Sequence, residues 1–476
     1  MKELKRHLGF KEIFAIASGA MISSGLFVLP SIIYKDLGTH TFLAYILASV
    51  FMVPTLLIKM ELVTAMPKAG GDYFYIERGL GGIIGILGGL ANWFSLSLKS
   101  AFALIGVGGF IELFTKDFSY SDVKLIALLF LILIMLINIF SVKLTAKFEI
   151  ILVYVLLSIL TLYILTGITH INTEFLKSAH KVSLKELLRA GGMVFISFGG
   201  LTQVASVAEE AKRPAFTIPK GMLSSFITVT ILYVLAVLIT TGLLSPAEFK
   251  STLEPLSHGG EKIAGKIGLI LVSLAAFTAF ITTANAGTLA ASRTPLAMAR
   301  DGLLPQIFGK IHPRFNTPLI SLIFTGMFMA ISIAFFDLKS LVKTASTVML
   351  VLFITVHVSY LVIRASKFKN YNPVFKAPLF PYISIVAIVL YGFLIFELGT
   401  DMEIFVFIFS IVALILYFTY SRRNIKRRSA LIHLIERAIN KEIKTPKIEE
   451  ELKEIIKERD RATLDRFDMI IRENPV

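Results

Sequence analysis

Three groups of residues in this sequence are of types that could bind a small polar molecule, and each sits inside a long apolar stretch. The first is SGAMISSGLFVLP, Ser18 to Pro30, with two glycines and three serines. The second is GGMVFISFGGLTQ, Gly191 to Gln203, with Ser197, Gly199 and Gly200 at its centre. The third is a lone lysine, Lys99, in ANWFSLSLKSAFALIGVGGF. Backbone groups at membrane depth leave the helical pattern only where protein or a polar cavity satisfies them. A Ser-Ser-Gly at mid-span is therefore costly unless something binds there, or unless small residues mark an ordinary helix–helix contact. Exposed helix N-termini attract an anionic group and unwound carbonyls hold a cation. Two such breaks suit a zwitterion, with carboxylate at one end and ammonium at the other. Lys99 lies roughly 25 Å of helix from either end of its stretch at 1.5 Å per residue, too far for easy snorkelling. It could pair with an acidic ligand, change protonation as a coupling group, or form a structural ion pair. All three roles argue against a cationic substrate.

Lipid must surround the elements that position these residues. The chain has 476 residues, of which 55% are hydrophobic and 39 are Phe, more apolar surface than a soluble fold of this length could bury. Apolar windows long enough to cross about 30 Å of hydrocarbon recur about twelve times. They fall near residues 11–36, 40–65, 82–114, 122–141, 148–168, 187–209, 217–243, 262–298, 318–336, 341–364, 379–398 and 402–421. Lys68 and Arg78, Lys143 and Lys147, Lys212, Arg213 and Lys220, Arg300 and Lys310, then Arg364, Lys367, Lys369 and Lys376, fall in alternate loops. That bias places both termini in the cytoplasm, despite Lys177, Lys181, Lys185 and Arg189 on the other side. MKELKRHLGFKEIF runs into the first span without a small-residue cleavage site, so no cleavable signal is expected.

Several classes drop out. The net charge of +15 is explained by basic inner loops and needs no nucleic acid. No cysteine is present, which removes thiolate metal sites and cysteine nucleophiles. No P-loop and no HExxH occurs, so neither ATP-driven transport nor a zinc enzyme is expected, nor any enzyme activity. No metal or organic cofactor is called for beyond Na⁺ or H⁺ as a coupling ion.

The motifs resemble those of the amino acid–polyamine–organocation superfamily of permeases. GAMISSGLFVLP is similar to its first-span pattern, and ELVTAMPKAGGDYFYIERGLGG, Glu61 to Gly82, resembles its loop between spans two and three. SVAEEAKRPAFTIPKGM and ASRTPLAMARDGLLPQIFGKIHPRFNTP look like its loops after spans six and eight. The resemblance implies an all-α membrane protein of about twelve transmembrane helices, with ten in a five-plus-five inverted repeat (LeuT-like) whose helices one and six are broken. The transporter domain would cover 1–421, and 422–476 would form a cytoplasmic amphipathic helical tail. The resemblance further implies a mid-membrane substrate site. The amides near Ser23, Ser24 and Gly25 would take a carboxylate. The carbonyls around Met21, Ile196, Ser197 and Gly199, beside Gly200, would take an ammonium. Phe198 would help close the site over its substrate.

Two departures matter. Many members carry a glutamate in the sixth span where GGLTQ has Thr202, so no carboxylate senses protons there. Some place a lysine in span five, where this chain has Leu156. Hydroxyls and an amide near that place, Thr282, Thr283 and Asn285, suit a small hard cation such as Na⁺, although hydroxyls also bond their own helix. Lys99 falls at a third-span position that lines the family's site. The function expected is secondary transport of a neutral or acidic amino acid by alternating access, as a multi-pass protein of the cytoplasmic membrane. The rival is an amino-acid sensor signalling through its tail. Homo-oligomerisation or regulation through the tail is open.

Overall fold

In hydrocarbon a chain satisfies its own backbone only in helices or closed barrels, and this sequence has the long apolar runs of the first kind. Its computed structural model describes residues 8–67, 71–112, 119–140, 145–177, 182–206, 208, 211–313, 317–367, 371–424, 429–432, 434 and 453–455. Among the described residues every expected window contains helix, and the β-structure is one isolated bridge between Leu8 and Ala211. The protein is an all-α membrane protein. Nine stretches among those residues are long and apolar enough to cross a bilayer, and Leu319–Phe335 and Tyr382–Leu398 are shorter apolar helices. The first stretch, Ser24–Ala65, runs through the helices Ser24–Phe27 and Leu29–Leu37, a turn at Gly38–His40 and the helix Thr41–Ala65.

Burial sorts the helices into a centre and a rim. The apolar windows within Gly82–Ile111, Leu184–Ala205 and Leu338–Ala365 are 83%, 82% and 78% buried by protein alone. Those of Tyr120–Ile139 and Thr400–Asn424 are 28% and 17% buried, with Leu125, Leu129, Phe407 and Phe418 turned outward. Such faces are at home only against lipid tails. Trp93 ties the centre to the rim: its indole N–H donates to Thr325 Oγ1 at 2.9 Å and its ring stacks on Phe324 at 4.7 Å.

Helix ends follow local chemistry. Asp337 caps Leu338–Ala365 by accepting from the amides of Lys339 and Ser340. Ser183 and Glu186 form a capping box at the start of Leu184–Val194. The Pro255–Arg300 run bends at Ala264 and Gly265, where Gly265 takes φ +58°, so the segment bearing Thr282 to Asn285 starts after that bend. The expected tail lies largely outside the described residues. At its start, the Ala430 carbonyl accepts from Ser366 Oγ at 3.1 Å.

A similar box, Ser245 with Glu248, starts Pro246–Ser251, and Lys262 donates to the same carboxylate at 2.7 Å. Lys262 and the Ser245 hydrogen bonds hold the Glu248 carboxyl down at about 2. A depressed folded pKa means the stabilisation is present above the unfolded value and lost as pH falls toward about 2. Comparing melting of the protein with its Glu248→Gln variant checks this. The difference at pH 7 is expected to shrink steadily below about pH 4.3, the ordinary glutamate value.

Candidate substrate site at two facing helix breaks

The first break follows from where the chain runs out of helix. Phe10–Met21 ends, Ile22 and Ser23 are extended (ψ 109° and φ −158°), and a short helix Ser24–Phe27 resumes. In the second, the α-helix Leu184–Val194 tightens into a 3₁₀ turn at Phe195–Gly200 before Leu201–Ser206. Glycine lets the two breaks touch. A Cβ on Gly25 would stand 2.3 Å from Ser197 Oγ, and one on Gly200 would stand 2.2 Å from the Ala20 carbonyl carbon and 2.4 Å from Met21 N. The described side chains of both breaks are buried by protein.

The end of Phe10–Met21 leaves carbonyls without helical partners at the negative pole of the helix dipole. Three other helices answer them, and a fourth reaches the resumed helix. Lys99, from Gly82–Glu112, donates to the Ala20 carbonyl at 2.7 Å. Thr283 Oγ1 approaches the carbonyls of Gly19 and Ile22 at 3.2 and 3.4 Å. Tyr233 donates to the Met21 carbonyl at 2.7 Å, and Tyr45 to the Gly25 carbonyl at 2.6 Å. The hydroxyls of Ser24 and Ser197, one from each break and both buried, have no hydrogen-bond partner among the described residues. Buried polar atoms left open in this way cost free energy unless a bound molecule or water completes them.

The expected residues thus divide. Met21, Ser23, Ser24, Gly25, Ile196, Ser197, Gly199 and Gly200 lie on the two breaks, and Lys99 and Thr283 reach the first. Among the described residues Lys99 meets a carbonyl and no carboxylate. Thr282 turns to its own helix, donating to the Thr278 and Ala279 carbonyls. Asn285 accepts from Asn138 at 2.8 Å and so faces the Tyr120–Phe140 helix, not the break. Phe198 packs on Phe226 and Tyr233, with both ring centroids at 5.6 Å, in an aromatic row that Tyr45 continues. It therefore backs the tyrosines that hold the break. The Thr202 side chain lies outside the described residues. In span five it is Val153 that lies against Gly19, where a Cβ would stand 2.4 Å from Val153 Cγ2.

Tyr45 and Tyr233 escaped the sequence reading because a tyrosine in an apolar span signals nothing until its hydroxyl partner is known. Lys59 did carry a signal, a lone ammonium in a span like that of Lys99. It pairs with Asp72 at 2.8 Å, both fully buried, and its Nζ lies 4.2 Å from the Phe353 ring centroid. Nearby, Thr55 links His357 at 3.2 Å and Tyr391 at 2.7 Å. The Glu61 carboxylate accepts from Tyr360, Arg364, Tyr371 and the Ala377 amide, tying two helix ends to the 371–377 loop. Among the described residues no three His, Cys, Asp or Glu are placed to share a metal ion.

A family model described as "Amino acid permease" matches residues 8–417. The chain is 25% identical over 447 residues to the branched-chain amino acid permease BcaP of Bacillus subtilis, covering 89% of this chain and 95% of that protein. It is 24% identical over 444 residues to the methylthioribose transporter of the same organism, with the same shares covered. It is 26% identical over 398 residues to the large neutral amino acids transporter small subunit 2 of Mus musculus, covering 80% of this chain and 74% of that protein.

Proposed function

Since the chain belongs to the amino acid permease family, we propose that it is a secondary transporter carrying a neutral amino acid across the cytoplasmic membrane. It would do so by alternating access around the two breaks, with twelve spans, a five-plus-five inverted repeat and both termini in the cytoplasm. The observation that carries the reading is the pair of open hydroxyls, Ser24 and Ser197, buried where the two breaks meet. A zwitterion between the breaks would complete both, its carboxylate at the start of Ser24–Phe27 and its ammonium toward the 3₁₀ turn. Two relatives named for branched-chain or large neutral amino acids fit this substrate class. A relative named for methylthioribose matches as large a share of the chain, so substrate choice rests on the residues at the breaks. Lys99 would repel a cationic amino acid, and an acidic one would have to draw it off the Ala20 carbonyl.

We assign coupling to Lys99. With Thr282 and Asn285 turned away, Thr283 and two carbonyls are what remains of the expected Na⁺ cage, while a cation already sits on the neighbouring carbonyl. Release and recapture of a proton by this amine would switch the first break between a charged, carbonyl-bound form and a neutral one. A second reading, Na⁺ held by Thr283 with Gly19 and Ile22, rests on that hydroxyl's place.

The test is uptake of labelled neutral, acidic and cationic amino acids into liposomes under imposed proton or sodium gradients. Neutral substrates are expected to accumulate with the proton gradient. Lys99→Met should abolish accumulation yet leave exchange of substrate for substrate. Accumulation that follows sodium and vanishes in Thr283→Val would transfer coupling to the second reading. Binding without entry into vesicles would sink the transport reading and revive the sensor.

A further inference from the structure

Away from the breaks, the structure holds a cavity of about 190 Å³ lined by Glu61, Arg364, Lys367, Tyr371, Pro373 and Lys376. Its charges do not cancel. The carboxylate is already saturated by Tyr360, Arg364, Tyr371 and the Ala377 amide. Arg364 spends Nη1 on Glu61, Tyr360 and the Ala377 carbonyl, and its other guanidinium N–H groups have no partner among the described residues. Lys367 and Lys376 are exposed, and neither ammonium makes an ion pair or hydrogen bond among those residues. The cavity thus presents one guanidinium edge and two ammonium groups around a space whose single acid is internally neutralised.

We propose that this cavity binds a phosphate-bearing anion. A guanidinium edge matches the oxygens of a phosphate in a way no single lysine does, and flanking ammonium groups complete the charge. Two sources share that chemistry, an anionic phospholipid headgroup and a soluble phosphate ester. The surroundings favour the lipid. The same loop exposes Val374 and Leu379, then enters Tyr382–Leu398, whose Val386, Val389 and Phe396 are turned outward. A headgroup at Lys367 and Lys376 would have apolar surface beside it for its chains. Basic groups at a membrane surface attract anionic lipid in this way. Because Glu61 joins Thr41–Ala65 and Leu338–Ala365 to this loop, an anion on Arg364 would brace the junction of the two helices.

The experiment titrates the purified full-length protein in neutral detergent with phosphatidylglycerol, phosphatidylcholine or glycerol phosphate, following the melting temperature. Phosphatidylglycerol is expected to stabilise and phosphatidylcholine not. In the Lys367→Gln/Lys376→Gln variant the midpoint concentration should rise roughly thirtyfold, the scale set by two surface lysines on anionic lipid. Lys367→Arg/Lys376→Arg should keep the wild-type midpoint. Arg422→Gln/Arg423→Gln, an exposed pair of equal charge outside the cavity, should keep it as well. Equal stabilisation by glycerol phosphate would assign the site to a soluble ester. A wild-type protein that responds to neither anion, or the same loss in both glutamine variants, would overturn the proposal.

Discussion

Uptake by a Gly200→Ala variant is expected to fall by roughly one to two orders of magnitude, and no trimming of neighbouring side chains should restore it. Overpacking a tight contact costs about 1–3 kcal/mol, and each 1.36 kcal/mol is about tenfold in rate. The added methyl would meet backbone, the Ala20 carbonyl carbon at 2.2 Å and Met21 N at 2.4 Å, so the two breaks would have to separate. Separation would also strip Lys99 and Thr283 of the carbonyls they hold. Gly25→Ala makes a contrasting case. Its methyl would meet mainly the Ser197 side chain, Oγ at 2.3 Å and Cβ at 2.7 Å, with Cα at 3.2 Å. Pairing Gly25→Ala with Ser197→Gly removes the first two atoms and should recover part of the uptake. Initial rates in proteoliposomes, normalised to protein that remains folded, decide the matter. If Gly200→Ala transports like the wild type, the breaks do not work in contact.

The two breaks were legible because glycine in mid-span is conspicuous, and the cost of freeing backbone in lipid gives that signal a meaning. The helices were legible for a plainer reason, since length and hydropathy set them. What holds the breaks was not. Tyr45 and Tyr233 lie 20 and 212 residues from the carbonyls they bind, and nothing in their local sequence marks the partner. Thr282 and Thr283 are adjacent, hence about 100° apart on a helix, and a small error in register exchanges the one that bonds its own helix for the one that reaches the break. The Glu61 junction was beyond reach for another reason. Its partners lie 299 to 316 residues away, two on the helix Leu338–Ala365 and two on a loop with no periodicity to place it. Burial, finally, told central helices from lipid-facing ones that composition alone made look alike: the Gly82–Ile111 window is less hydropathic than the Tyr120–Ile139 window yet far more buried.

The Lys59–Asp72 pair leads to the largest effect on stability. Lys59→Met should destabilise the protein by about 3–5 kcal/mol, because it strands a buried carboxylate, whereas Lys59→Met/Asp72→Leu should recover most of that loss. The reason lies in how the pair is satisfied. Its 2.8 Å contact is fully buried, yet Asp72 Oδ1 has no hydrogen-bond partner among the described residues, so desolvation of the acid is only partly offset. Methionine keeps the stem that packs near Phe353 and gives up only the ammonium over its ring, a contribution of about 0.5–2 kcal/mol. Thermal unfolding of both single variants and the double variant in detergent closes the cycle and isolates the coupling between the two charges. If the double variant is as unstable as the sum of the singles, the charges do not act as a pair. Once its fold is preserved, the double variant also separates structure from function. The pair joins Thr41–Ala65 to Gly71–Leu80 beside His357, and the Phe353 ring under its ammonium meets Phe195 of the second break with ring centroids 5.6 Å apart. A stable double variant that transports normally would make the pair a device for fixing that helix. A stable one that binds substrate but does not move it would place the pair in the opening and closing of this end of the transporter.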